Sequence, residues 1–144
     1  MKILVDTSIW FLALRKKTLT QIEKRYVNEL KELINELRVE MIGPIRQELL
    51  SGVKDEQKYN SLKENLKGFE DLAITEQDYE KAAEIFNLLR KSGIQGSHID
   101  FLICAVALNH HLPIFTTDND FRNYQKIIGV DLQKIRDELD ENSS

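Results

Sequence analysis

The sequence predicts an α/β fold on a short, mainly parallel sheet, and three observations predict it. Ile3-Leu4-Val5 and Ile114-Phe115-Thr116 are brief, mainly apolar runs, the pattern of strands covered on both faces. Each run is followed closely by an acid, Asp6 after the first and Asp118 after the second. In open α/β sheets the carboxyl ends of the strands border the ligand crevice. Between the two runs, apolar residues recur three and four apart, the spacing of amphipathic helices.

Composition fits one globular domain. A chain of 144 residues is long enough for a core of its own. Its 42% hydrophobic and 31% charged residues exclude a wholly disordered chain. The longest apolar stretch, around Phe101 to Leu108, falls well short of the roughly 18 to 20 residues that span a bilayer. The start of the chain reaches an acid within a few residues, unlike a signal peptide, so cytoplasmic residence with no membrane partner is the expectation. Cys104, the single cysteine, cannot form an internal disulfide and suits a small core position. The net charge of −4 argues against nucleic-acid binding by the whole surface. Carboxylates holding two divalent cations would have that charge offset.

The elements follow in order. After strand Ile3–Val5, residues 7–14 are apolar nearly all round and read as a partly buried helix, closed by the basic run Arg15-Lys16-Lys17. From Thr20 to Arg38, Ile22, Tyr26, Leu30, Leu33, Ile34 and Leu37 mark an amphipathic helix. Residues 39–42 read as a second strand, broken by Gly43-Pro44, with Pro44 suited to the first turn of a helix to Leu50. Residues 55–67 read as a charged surface helix with Lys54, Lys58, Lys63 and Lys67 on a solvated face. Residues 69–74 read as a strand, and Thr75-x-x-Asp78 as a capping box opening a helix to about Arg90. Residues 91–97 hold two glycines and read as a flexible loop. His98 to Leu108 is a helix with almost no polar face. Ile127, Ile128 and Val130 read as a last edge strand, and Leu132, Ile135 and Leu139 as a short helix before a frayed end. His110 and His111 are adjacent and follow the helix, which makes them poor zinc ligands.

Several acids have two readings. Asp6 either N-caps the helix behind it or serves chemistry. Glu48 lies at the edge of an inward helical face or is simply solvated. Asp100 fits a capping box with Ser97, yet its apolar surroundings supply no neighbouring Lys or Arg, so its charge needs a partner from elsewhere, such as a metal ion. Asp118 and Asp120 have capping explanations too. Taken together, the four acids Asp6, Glu48, Asp100 and Asp118 can face one sheet edge, where clustered carboxylates need cations or shared protons. Oxygen ligands without grouped Cys or His favour Mg²⁺ or Mn²⁺, and such ions suit in-line phosphodiester hydrolysis. A phosphatase with an aspartyl nucleophile competes, but there the acid is usually repeated two residues on, where this chain has Ser8. A non-catalytic binding module is a third reading.

Ile-Leu-Val-Asp6-Thr-Ser, Ile-Arg-Gln-Glu48-Leu, His-Ile-Asp100-Phe-Leu-Ile-Cys-Ala-Val-Ala and Thr-Thr-Asp118-Asn-Asp120-Phe together resemble the PIN-domain nucleases, particularly VapC-type toxins of toxin–antitoxin pairs. The resemblance runs from Met1 to about Tyr124. It implies a three-layer α/β/α fold with a mainly parallel sheet, a PIN-like nuclease domain over residues 1–130, and a C-terminal helix and tail over 131–144. It also implies a homodimer, an Mg²⁺- or Mn²⁺-dependent endoribonuclease acting on an RNA substrate, and inhibition by a small cognate antitoxin protein. Asp6, Glu48, Asp100 and Asp118 match the family's metal-binding and catalytic acids, and Asp120 a position often acidic there. Thr7, Ser8 and Thr116 match supporting hydroxyl positions. Arg15, Lys16, Lys17 and Arg122 are candidates for RNA contacts. Trp10, Phe11 and Leu14 are candidates for lining an antitoxin groove, with core packing the competing role, above all for Phe11.

Overall fold

The computed structural model describes residues 1–136. Three short strands, β1 (Ile3–Val5), β2 (Val39–Glu40) and β3 (Ile114–Phe115), form a parallel sheet in the order β2-β1-β3. Among the described residues the helices are α1 (Thr7–Leu14), α2 (Gln21–Asn35), α3 (Gly43–Leu50), α4 (Glu56–Leu66), α5 (Glu76–Lys91), α6 (His98–His110) and α7 (Asp120–Ile128). Strand β1 pairs Ile3 with Val39 and Leu4 with Glu40 on one side, and Leu4 with Ile114 and Val5 with Phe115 on the other. Successive strand residues point to opposite faces. Ile3, Leu4 and Val5 are all fully buried, so both faces of the central strand are covered, as a three-layer α/β/α arrangement requires. The chain direction across the sheet reverses at β1, which makes the β1–β3 carboxyl ends the switch point where such sheets open a crevice.

Local chemistry sets the helix ends. Thr20 and Glu23 form a reciprocal capping box at the start of α2, and Thr75 and Asp78 do the same for α5. Pro44 sits in the first turn of α3, where its missing N–H is no loss. Helix α6 buries Phe101, Ile103, Cys104, Ala105, Val106 and Ala107, in keeping with its sequence, and packs along α5. There Asn109 Nδ2 (2.9 Å) and His110 Nε2 (3.3 Å) meet the buried Asp78 carboxylate.

Four sequence expectations are corrected. Residues 69–74 form no strand, only a bridge between Met41 and Asp71. Arg46 of α3 takes the Phe69 carbonyl and the Asp71 carboxylate for itself, so this segment is latched to α3 instead of extending the sheet. Ile127 and Ile128 belong to α7. Ile128 continues the helical spacing of Phe121 and Tyr124, and Gly129, at φ 72°, ends the helix. The edge contact to β3 is made instead by Leu132, opposite Ile114, so residues 131–135 are not helical. Leu139 and the expected frayed end lie outside the described residues. Finally, Trp10 is core, 2% exposed and edge-on to Phe69 at 5.0 Å, whereas Phe11 is 42% exposed, the reverse of the packing expected for it. Among the described residues, no helix is long and apolar enough to cross a membrane.

Candidate active site

Shortly after each strand that flanks the switch point comes a hydroxyl residue, Ser8 after β1 and Thr116 after β3, and the two grip one carboxylate. Asp6 follows β1, is 6% exposed, and holds the N-cap position of α1 without a side-chain capping bond. Its Oδ2 accepts from Ser8 Oγ (2.8 Å) and from Thr116 Oγ1 (2.7 Å), the residue after β3. Each hydroxyl has one proton to give and in turn accepts a backbone amide, Thr117 N on Ser8 Oγ and Asp118 N on Thr116 Oγ1, both at 3.0 Å. The two strand ends are therefore stitched together through Asp6, and the second stitch fixes the backbone of Asp118. Burial raises the Asp6 pKa above the ordinary carboxylate value. The Thr116 and Ser8 hydroxyls oppose that rise, as do the Thr7 and Ser8 amides, although neither amide meets capping geometry.

The other acids arrive on separate elements. Asp100 sits in the first turn of α6, where Ser97 Oγ accepts its backbone N–H at 3.0 Å. Its carboxylate does not return that bond to complete a capping box. Instead, Oδ2 accepts from Tyr124 Oη of α7 at 2.9 Å. Burial raises the Asp100 pKa; the Tyr124 bond opposes it, and the negative charges of Asp6 and Asp118 add to it. Glu48 of α3 is exposed, and Thr7 Oγ1 donates to its Oε2 at 3.0 Å. Asp118 Oδ1 accepts from Asp120 N at 2.9 Å. Asp6, Glu48, Asp100 and Asp118 line a single cavity of about 730 Å³ together with Thr7, Ser8, Phe11, Arg15 and Lys16.

Three of the residues singled out in the sequence lie outside this cavity. Asp120 is exposed at the start of α7 and does not line the cavity. Arg122 lines a neighbouring cavity beyond Asp118, and Lys17 a neighbouring cavity beyond Arg15. Tyr124, absent from the sequence reading, is fully buried. Its hydroxyl fits only because residue 96 is glycine: a β-carbon there would collide with Tyr124 Oη and the Phe101 ring. No local pattern marks this pair, because the contact joins positions 24 apart.

The donor set is all oxygen, which suits a hard divalent cation. Among the described residues no three His, Cys, Asp or Glu side chains already form a ready ligand shell. Mg²⁺ commonly takes one or two carboxylates and keeps its waters, so the set fits such an ion. A cation would also relieve the burial and mutual repulsion that raise the Asp100 pKa.

A model of the PIN domain matches residues 3–127. Ribonuclease VapC11 of Mycobacterium tuberculosis is 30% identical over 139 residues, covering 93% of this chain and 99% of that protein. Among solved structures, that of FitAcB from Neisseria gonorrhoeae is 25% identical with a TM-score of 0.73, covering 93% of this chain and 98% of that one. A member of the VapBC family of toxin–antitoxin systems, VapBC-5 from Mycobacterium tuberculosis, is 21% identical with a TM-score of 0.67, covering 93% and 98%.

Proposed function

Because the chain belongs to the PIN-domain family, we propose that it is a divalent-metal-dependent endoribonuclease, the toxin of a toxin–antitoxin pair. The observation that carries this reading is the convergence of Asp6, Glu48, Asp100 and Asp118, from four different elements, on one cavity at the switch point of the sheet. The kinship with a protein named as a ribonuclease supports the same conclusion.

Asp6, Asp100 and Asp118, with Glu48 facing them from α3, are the residues that would hold Mg²⁺ or Mn²⁺. When bound, such an ion polarises a phosphoryl oxygen and makes water a better nucleophile. The chain's own residues supply position. Ser8 and Thr116 fix the Asp6 carboxylate, Tyr124 fixes that of Asp100, and Thr7 keeps Glu48 turned to the cavity. A water oriented by these carboxylates attacks phosphorus, forming a new phosphorus–oxygen bond and giving up a proton to a cavity carboxylate or to solvent; one phosphorus–oxygen ester bond breaks, and the departing sugar oxygen takes up a proton.

RNA, a small antitoxin protein and a second copy of the chain are the partners this reading carries. The phosphatase alternative loses ground at Ser8, whose hydroxyl donates to Asp6 where a second acid would be needed. The test is the pair Asp6→Asn and Asp100→Asn, each purified and incubated with RNA and Mg²⁺ or Mn²⁺. Both are expected to lose at least about 100-fold in cleavage rate while keeping the wild-type circular dichroism spectrum. Full activity in either variant overturns the assignment.

A further inference from the structure

Glu48 differs from the other acids of the cavity in what sets its place. Ser8 and Thr116 hold the Asp6 carboxylate, Thr116 holds the Asp118 backbone, and Tyr124 holds the Asp100 carboxylate. Glu48 is exposed and meets Thr7 across the gap between α3 and α1, so its position follows that of α3. This helix has eight residues and no side-chain bond at its N-cap. Its Ile45 and Leu49 are fully buried. At about 100° per residue, Arg46 and Glu48 project to opposite flanks, each about 80° from the centre of that buried face. On the Glu48 flank lies the cavity. On the other flank, Arg46 Nε and Nη2 donate to Asp71 Oδ1 at 3.0 and 2.8 Å, Nη1 donates to the Leu66 carbonyl at 3.0 Å, and Nη2 also donates to the Phe69 carbonyl. Leu66 is the last residue of α4. One guanidinium therefore bolts α3 to the end of the helix that packs beside it.

Apolar burial is non-directional, so Ile45 and Leu49 keep α3 on the core but do little to stop it rolling about its own axis. A guanidinium fork is directional, and this one grips the helix on the flank opposite Glu48. A roll of about 10° moves a side-chain tip about 5–6 Å from the helix axis by about 1 Å. A misplacement of about 1 Å at a reacting centre can cost on the order of 100-fold in rate. Resting on the ribonuclease reading, we propose that Arg46 is a positioning residue for Glu48. Its fork onto Asp71 and the carbonyls of Leu66 and Phe69 locks the roll of α3 and so keeps Glu48 on the cavity it shares with Asp6, Asp100 and Asp118. Arg46 lies outside that cavity and acts through Glu48 alone.

The test is a double-mutant cycle on Arg46→Met and Glu48→Gln. It is read on kcat and KM for a single-stranded RNA with Mn²⁺, and on Mn²⁺ affinity by calorimetry, which needs no turnover. Arg46→Met is expected to lower kcat and to weaken Mn²⁺ binding, each by at least about 10-fold, with KM held within about twofold. In the Glu48→Gln background the same substitution is expected to change either quantity by less than about twofold. An arginine that only stabilises the fold would lower both backgrounds by the same factor. That result overturns the proposal, as does an Arg46→Met protein with the wild-type kcat and Mn²⁺ affinity. Urea midpoints measured alongside keep the comparison to folded protein. Arg46→Lys keeps the charge without the fork, and Asp71→Asn removes the charge that the fork grips. Where Arg46→Met does not fold, these two carry the cycle, each with an expected loss of about threefold or more that vanishes beside Glu48→Gln. Cleavage by the wild-type protein separates the two readings. A protein that cuts RNA while the Arg46 loss persists without Glu48 retains the ribonuclease reading and loses the positioning role. A wild-type protein that cuts no RNA loses both.

Discussion

Asp6 carries its charge at a cost to the fold. Its pKa is raised by burial, and that of Asp100 by burial and by the charges of Asp6 and Asp118. A folded-state pKa above the unfolded one means that the metal-free protein gains stability as pH falls through the raised value. That contribution is complete below the ordinary value of 3.8. Asp6→Asn keeps an oxygen for Ser8 and Thr116 while removing the charge. It should therefore stabilise the chelated protein at pH 7 by on the order of 1 kcal/mol, read as a higher melting temperature, and the gain should shrink toward pH 4, as thermal scans across that range would register. Tyr124→Phe separates support from chemistry. Losing the 2.9 Å bond to Asp100 should cost about 1 kcal/mol of stability and about 10-fold in Mn²⁺ affinity and cleavage rate. A variant that is destabilised but binds Mn²⁺ as wild type would make the tyrosine purely structural. The acids themselves were legible in the sequence because Asp6 and Asp118 follow strands, Asp100 opens a helix and Glu48 borders the inward face of one. Tyr124 was not, because a contact across 24 residues leaves no periodic trace.

At the scale of elements, two helix ends make quantitative claims. Helix α2 closes with Arg38 N–H on the Leu33 carbonyl at 3.0 Å, which places Leu37 in the left-handed region at φ 57° and 83% exposed. Glycine is the residue that fits that position without strain. Leu37→Gly should stabilise the protein by about 0.5–1 kcal/mol, read as a higher urea midpoint. At the other side of the molecule, burial alone would raise the Asp78 pKa, but the Thr75 amide, Asn109 and His110 together hold it below the ordinary value. A lowered folded value means stabilisation that is present above about pH 4 and lost as pH falls through it. Asp78→Ala should cost about 2 kcal/mol at pH 7 through the missing cap and the orphaned donors, and the deficit should narrow in acid, as paired denaturant titrations at pH 7 and pH 3 would show. The capping box that opens α5 was visible as Thr75-x-x-Asp78. The partners on α6 were not, since only packing brings α5 and α6 together. The misplaced strands have the same origin. Residues 69–74 look extended, but Arg46 takes the Phe69 carbonyl, and the pairing with Met41 is limited to Asp71 and Leu72. Ile127 and Ile128 look like an edge strand, yet both belong to α7, where Ile128 completes the spacing of Phe121 and Tyr124 and Ile127 is exposed.

For the whole molecule, the sheet order is what gives the acids a common destination. With β1 central and β2 and β3 on either side, the carboxyl ends of β1 and β3 meet, and Asp6 and Asp118 meet with them. Helices α3 and α6 bring Glu48 and Asp100 to the same cavity. The α/β class was legible because strands buried on both faces are apolar without alternation. The order of the strands is a tertiary fact that apolar runs alone do not encode. A cluster of carboxylates in a chain of net charge −4 approaches RNA only once cations reduce its charge, so cation and activity should be inseparable. The direct measurement is cleavage of a single-stranded RNA by the purified wild-type chain with Mg²⁺ or Mn²⁺, after chelation, and after the cation is restored. The account predicts cleavage with either cation, none in chelator, and recovery on re-addition. Cleavage at the same rate in chelator would contradict it.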